Sequence, residues 1–445
     1  MRSSRFPALA AALAVTAWAA LPASAQVEGG DTPRSPADEQ AKLDLAEVLA
    51  LTEAGNPMLL GVRSAAAAAA AREPEASTLP DPSLRIGIMD FGLPSFATDM
   101  QTSMVPSIQL MQMVPFPGKL GLMGEVAAYT RRIAESEADE TWWTVRQEVA
   151  SLFYDLYATD RSLEVMRETL GLLRDFREVA DAMYVSGMGR QADVLRADVE
   201  VARMDAEIRR MEAMRASDAA MLNALLDRPA NTNVPSPVLG ELPMEVPARD
   251  TLLAWARESR PRVAASRLAV ERARTELSLA RREIWPDLTI GLGYGQRNVG
   301  MGTERMGSAM VEFSLPVHAG RRQYAMRAEA EAMEGMARSD LAAAEASVDA
   351  RIGALLADLE RARALATLYR DEVIPQAHAT VESALSSYRV GRVDFMTLVD
   401  AQMTLNQYEG ELYRLRADHG KAVASLESET GRELPRTGPM LRDDP

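Results

Sequence analysis

Pro82-Ser83-Leu84-Arg85-Ile86-Gly87 returns 204 residues later as Pro286-Asp287-Leu288-Thr289-Ile290-Gly291. In both stretches every second residue is apolar, the period of a strand. Other pairs keep the same spacing: Asn56-Pro57 with Arg260-Pro261, Tyr184-x-x-Gly187 with Tyr388-x-x-Gly391, and Ala197 with Ala401. A solenoid unit runs to a few tens of residues, so this is not one. It reads as a duplicated half-protein, each half running helix, strand, strand, very long helix, tight turn, very long helix. The expected halves are residues 26–250 and 251–434, with a frayed tail over 435–445.

Working outward, a helix is predicted from Leu43 to Arg72, stopped by the Pro-rich stretch Glu73–Pro82. Strands follow at Leu84–Ile88 and Met104–Val114, with a loop over 90–103 between them. Pro115-Phe116-Pro117-Gly118 ends the second strand. From Lys119 to Arg228 there is no proline. Leu152, Leu156, Leu163, Met166, Leu170 and Leu173 follow the 3–4 spacing of packed helices. So do Val194, Ala197, Val201, Met204, Ile208 and Met211, beyond a break at Tyr184–Gly189. A helix from Lys119 to Tyr184 would be about 100 Å long at ~1.5 Å per residue. A hairpin crossing a periplasm needs that length; a compact domain does not.

The second half repeats the plan. Pro229–Pro247 reads as a linker and Pro261–Ile284 as a helix. Strand residues Leu288, Ile290, Leu292 and Tyr294 share one face. After a Gly-rich loop over 296–307, Ala309, Val311, Phe313 and Leu315 share another. A helix is expected over Gly320–Val390, interrupted at Pro375, and a last one over Asp394–Thr430. Gly171 stands 204 residues before Pro375 and is also a poor helix former, so both long helices are expected to break at one height.

Residues 1–25 read as an export signal: Arg2 and Arg5, an apolar Ala8–Ala20, and Ala23-Ser24-Ala25 before Gln26. No cysteine follows, so no lipid is attached there, and the chain has no cysteine at all, which excludes disulfides and thiolate metal sites. Removing the two arginines takes the formal charge from −15 to −17, against nucleic-acid partners. No apolar run of about 18 residues follows the leader, so membrane passage would require a closed β-barrel. Four strands per chain fall short of the roughly eight of the smallest bacterial barrels. Two copies would give eight strands and three would give twelve.

These residues resemble the TolC family of outer-membrane efflux proteins. The resemblance rests on Asn56-Pro57, Val114-Pro115-Phe116-Pro117-Gly118-Lys119, Tyr184-Val185-Ser186-Gly187, Trp285-Pro286-Asp287-Leu288, Tyr388-Arg389-Val390-Gly391 and Leu398-Val399-Asp400-Ala401-Gln402, in order and duplicated. It covers nearly the whole mature sequence. It implies a mixed α and β fold, with long periplasmic helical hairpins and a trimeric twelve-stranded barrel. It implies an exit duct in the outer membrane of a Gram-negative bacterium, without enzymatic activity or cofactor. It also implies a periplasmic adaptor and an inner-membrane pump of the resistance-nodulation-division type as partners. Pro-Phe-Pro-Gly-Lys resembles the heavy-metal efflux branch; other members export drugs or proteins.

The two Tyr-x-x-Gly turns are the expected hairpin tips, with Gly187, Gly189 and Gly391 supplying permissive backbone. By resemblance, Asp400 lines a constriction at the tip and Asp193 bonds Tyr388. The family's second constriction acid falls on Thr397 and its linking arginine on Val393, with Arg392 adjacent. By spacing alone both aspartates are solvated acids near helix N-termini. Methionines gather near the strands (Met89, Met100, Met104, Met111, Met113 and Met123; Met301, Met306 and Met310). Thioethers suit Cu(I) but are also ordinary packing material. His318, His378 and His419 have no metal-ligand spacing. No phosphate loop, nucleophile elbow or metalloprotease pattern occurs. A porin with a coiled-coil stalk and a soluble periplasmic scaffold are the competing readings.

Overall fold

The structure, a computed structural model, describes residues 42–89, 105–240, 242–299, 302–435 and 440–441. The expected leader and the loop over 90–103 lie outside them. Helix α1 (Leu45–Gly55) is parted from α2 (Pro57–Ser77) at Asn56, whose side chain accepts from Leu59 N at 3.1 Å. Pro57 suits the first helical position, where its missing N–H is no loss. Arg260-Pro261 divides α5 (Arg249–Ser259) from α6 (Pro261–Arg282) in the same way.

Helix α2 does not stop at Arg72. It passes through Pro74 to Ser77, because one missing N–H is outweighed by packing along the next long helix. The Ser77 and Thr78 hydroxyls then bond the Pro74 carbonyl at 3.1 and 2.6 Å and close the end.

Strands β1 (Ser83–Met89) and β2 (Val105–Val114) lead into α3 (Lys119–Val185), 67 residues without a break. Helix α4 (Gln191–Leu225) returns alongside it. In the second half β4 (Leu288–Val299) and β5 (Gly302–Phe313) precede α7 (Gln323–Leu368). A π-turn at Tyr369–Val373 joins α7 to α8 (Ile374–Arg389), and α9 runs Phe395–Thr430.

Three further expectations are corrected. Residues 296–299 and 302–307 are strand rather than loop, because β4 and β5 supply each other's ladder bonds from Leu288↔Phe313 out to Val299↔Gly302. Gly171 does not break α3. Glycine costs about 1 kcal/mol against alanine but keeps its N–H, whereas Pro375 loses a ladder bond and clashes with the preceding turn. The interruption therefore falls only before Pro375. Part of the tail is not frayed: Met440–Leu441 (β6) pairs antiparallel with Leu242–Pro243 (β3), inside the expected linker.

The sheet runs β1-β2-β4-β5, all antiparallel. Its register stacks Leu84, Leu110, Leu292 and Ala309 in one row, and Ile86, Ile108 and Tyr294 in the next. This apolar face is exposed, Ile86 at 74%. The opposite face carries Arg85, Gln109 and Ser308 across Gly293, and Met111 and Met310 across Gly291. A Cβ at 291 would lie 2.5 Å from Met310 Cγ. Apolar-out, polar-in alternation is the transmembrane barrel pattern. Among the described residues no helix is long and apolar enough to cross a membrane.

Helix α3 is the spine, packing on α2, α4, α6 and α9. One core surrounds Phe153, Leu156, Tyr157 and Leu222; a second, toward the turns, surrounds Phe176, Met204, Phe395 and Leu398. A buried ionic girdle ties the second half to α3. Arg260 pairs with Glu429 and, at 3.2 Å, with Glu140, while Arg351 reaches Glu429 at 3.0 Å and Arg146 reaches Glu427 at 3.1 Å. Burial lowers the pKa of Arg260 against the pull of Glu140.

Candidate channel gate and strand–helix junction

Both helix-ending turns are Schellman motifs, with glycine in the left-handed conformation. Gly187 has φ 76° and its N–H bonds Tyr184 O at 3.0 Å, while Met188 N bonds Met183 O at 2.9 Å. Gly391 has φ 72° and bonds Tyr388 O at 2.8 Å, while Arg392 N bonds Ser387 O at 2.9 Å. Gly189 is set by a close approach instead: a Cβ there would stand 3.0 Å from the Met183 and Tyr184 backbone.

The two tyrosines differ. Tyr184 is exposed, whereas Tyr388 is buried with its ring edge-on to Phe395 at 5.5 Å. Asp193, in the first turn of α4, is also buried. The bond that the resemblance implies between Asp193 and Tyr388 is absent within this protomer, for the Tyr388 hydroxyl is buried without a hydrogen-bond partner. The contact is electrostatic. Burial raises the Tyr388 pKa, and the charges of Asp193 and then Asp394 add to it.

The link between the hairpins lies elsewhere. Arg196 of α4 approaches Asp394 at 4.0 Å, and Asp394 also accepts from Phe395 N at 2.9 Å. Sequence reading missed Arg196, which has no motif around it; Asp394 carried a helix-start signal whose second role was invisible. Arg392, Thr397 and Asp400 are exposed. Thr397 and Asp400 stand one turn apart on α9, and Asp400 lines a cleft of about 580 Å³ with Met403, facing Glu200, Arg203 and Glu207 of α4.

The two junction motifs quoted above meet in space. Lys119 Nζ is buried 3.0 Å from Asp287 Oδ1 and 3.4 Å from Glu283 Oε2, and Asp287 Oδ1 also accepts from Phe116 N at 2.8 Å. Phe116 stacks on Trp285 at 5.3 Å. Gly118, at φ 86°, leaves room for the Arg282 guanidinium, which donates to Pro117 O at 3.1 Å. The strand-to-helix corner is thus fixed by residues about 165 positions apart.

Among the described residues no group of three or more His, Asp or Glu is placed to hold a metal ion. His419 is buried on the Pro243 carbonyl at 2.9 Å. His378 pairs with Glu409 at 3.1 Å, where burial raises the Glu409 pKa against the pull of that histidine. The His318 carbonyl accepts from Arg321 N and Arg322 N.

Residues 252–432 match the outer membrane efflux protein family. The chain carries this match in its second half. It is similar to the outer membrane efflux protein BepC of Brucella suis, 25% identical over 345 residues, 76% of this chain and 74% of BepC. It is also similar to the cobalt-zinc-cadmium resistance protein CzcC of Cupriavidus metallidurans, 22% identical over 338 residues, 75% of this chain and 77% of CzcC. Among solved structures, CusC superposes with a TM-score of 0.76 at 14% identity, covering 90% of this chain and 95% of CusC. VceC of Vibrio cholerae superposes with a TM-score of 0.75 at 17% identity, covering 87% and 96%. The shared frame is a set of long packed helices, α3 alone about 100 Å at ~1.5 Å per residue, together with a small antiparallel sheet.

Proposed function

We propose that this outer membrane efflux protein is the trimeric exit duct of a tripartite pump. Three copies of the β1-β2-β4-β5 sheet close a twelve-stranded barrel in the outer membrane. The α3–α4 and α7–α9 hairpins form a periplasmic tunnel. The observation that carries this reading is the four-stranded sheet itself. One face is apolar and exposed, and neither outer strand has a partner among the described residues. Unpaired backbone is not tolerated in lipid, so further copies must complete the sheet. The partners are a periplasmic adaptor and an inner-membrane pump of the resistance-nodulation-division type, which supplies the energy; the duct conducts passively. Residues 1–25 act as the export leader, and residues 26–250 and 251–434 are the duplicated halves.

The tip is the gate. Gly187, Gly189 and Gly391 shape it, and Arg196–Asp394 holds the hairpins of one protomer together. Tyr388 and Asp193 pack beneath, Arg392 is free to reach a neighbouring copy, and Asp400 and Thr397 face the axis. The test is crosslinking in detergent followed by single-channel recording in planar bilayers. A trimer with small resting conductance is expected. A monomer, or a dimer with eight strands, would end this reading.

A further inference from the structure

The level where the strands hand over to the long helices carries chemistry that conduction does not use. In a chain of net charge −15, Arg281, Arg282, Arg321 and Arg322 gather there, all exposed. Arg281 makes only a loose 3.9 Å approach to Glu331, and Arg282 is engaged by Pro117 O. The side chains of Arg321 and Arg322 meet no hydrogen-bond or ion-pair partner among the described residues. On the barrel side, Leu315 and Val317 extend the apolar face of β5, 73% and 79% exposed, and Trp285 is 54% exposed.

Between these groups lies a cavity of about 380 Å³, lined by Trp285, Leu315, Val317, His318, Arg322 and Gln323. Asp287 and Glu283 also line it and both engage its buried lysine, Lys119, so the cation left to meet an anion is Arg322, with Arg321 next to it in sequence. Gln323 Oε1 has no hydrogen-bond partner and can accept from a hydroxyl. Apolar surface giving way to an aromatic ring and then to arginine is the order of groups across a membrane–water interface.

We propose that this cavity binds the headgroup of an anionic phospholipid of the periplasmic leaflet. Arg322 and its neighbour Arg321 take the phosphate, Gln323 takes a headgroup hydroxyl, and the acyl chains lie along Leu315 and Val317. Arginine suits this task because its planar fork matches phosphate oxygens. The assignment rests on the sheet being a membrane barrel.

The test reconstitutes the full-length protein in nanodiscs of equal phosphatidylglycerol and phosphatidylcholine, then reads retained lipid by native mass spectrometry. Wild type and Arg321→Lys/Arg322→Lys are expected to retain phosphatidylglycerol preferentially. With about fivefold per basic residue near an anionic surface, Arg321→Ala/Arg322→Ala is expected to lose about 25-fold of that preference. Undiminished retention by the alanine variant would overturn the site. Displacement of the lipid by excess inorganic phosphate would assign the cavity to free phosphate and overturn the lipid. A protein that fails to insert into bilayers sinks the exit-duct reading as well; one that inserts but shows no preference sinks only this one.

Discussion

Arg260 Nη1 donates to the backbone carbonyl of Glu429, 169 residues away, at 3.4 Å. Asn56 Nδ2 donates to Leu225 O, also 169 residues away, at 2.9 Å. In both halves the residue before the kinking proline fastens the end of the last helix, through an amide in one and a buried cation in the other. The two should fail differently. Asn56→Ala removes an N-cap and is expected to cost about 1 kcal/mol. Arg260→Ala leaves the buried Glu429 with only the exposed Arg351, and Glu140 half-buried without its cation, and is expected to cost about 3 kcal/mol. Denaturant unfolding of the detergent-solubilised protein compares them; equal losses would mean that the girdle carries no net charge penalty.

The gate prediction follows from the tip geometry. Because the Tyr388 hydroxyl makes no hydrogen bond, Tyr388→Phe is expected to change stability by no more than about 0.5 kcal/mol and to raise conductance only slightly. Arg196→Ala and Asp394→Asn break the link between the hairpins and are expected to open the duct further. Planar-bilayer recording decides. A larger opening in Tyr388→Phe than in Arg196→Ala would return the clasp to the tyrosine.

Asp400 makes a sharper case. If three copies ring the axis, a multivalent cation added on the periplasmic side should block current. The block should weaken near 1 M salt, where charges reach only ~3 Å. Asp400→Ala should abolish block while leaving the fold intact, as an exposed acid costs little to remove. Thr397→Asp, one turn away on α9, should strengthen it. Block that persists in Asp400→Ala places the constriction elsewhere.

His419 supplies a pH dependence. Burial holds its pKa below the ordinary 6.5, and its second ring nitrogen, Nδ1, is buried without a partner. The folded state therefore favours the neutral ring. The stability this contributes is fully present above pH 6.5 and is lost as pH falls through the lower folded-state pKa. Thermal midpoints should drop on acidification in wild type and drop less in His419→Gln, whose amide can still donate to Pro243 O. Parallel acid profiles for the two proteins would remove His419 from the account.

The long elements were legible because their signals are local. The proline-free run after Lys119 and the 3–4 spacing of Leu152 to Leu173 fix α3, and alternation from Leu84 and Leu288 fixes the strands. What escaped depends on partners distant in sequence. Helix α2 survives Pro74 because α3 lies beside it. The β4–β5 hairpin runs through residues that look like loop, because each strand supplies the other's hydrogen bonds. At the tip the glycines announced both turns, but Arg196 and Asp394 meet only once α4 and α9 have folded. The Lys119–Asp287 pair was half legible: both motifs stood out, and nothing in either named the other.

The unpaired β1 and β5 edges bear on how a duct of this kind comes into being. Its helices can form in water as soon as the chain is delivered, since their hydrogen bonds are local and their apolar stripes face one another. The sheet cannot reach its final state there. On the trimer proposal, a newly made protomer carries an apolar surface bounded by two strands that are open among the described residues, an arrangement prone to aggregate. If three copies close the barrel as proposed, the part built for lipid is completed last, and escorting it across the periplasm consists largely of keeping those two edges covered.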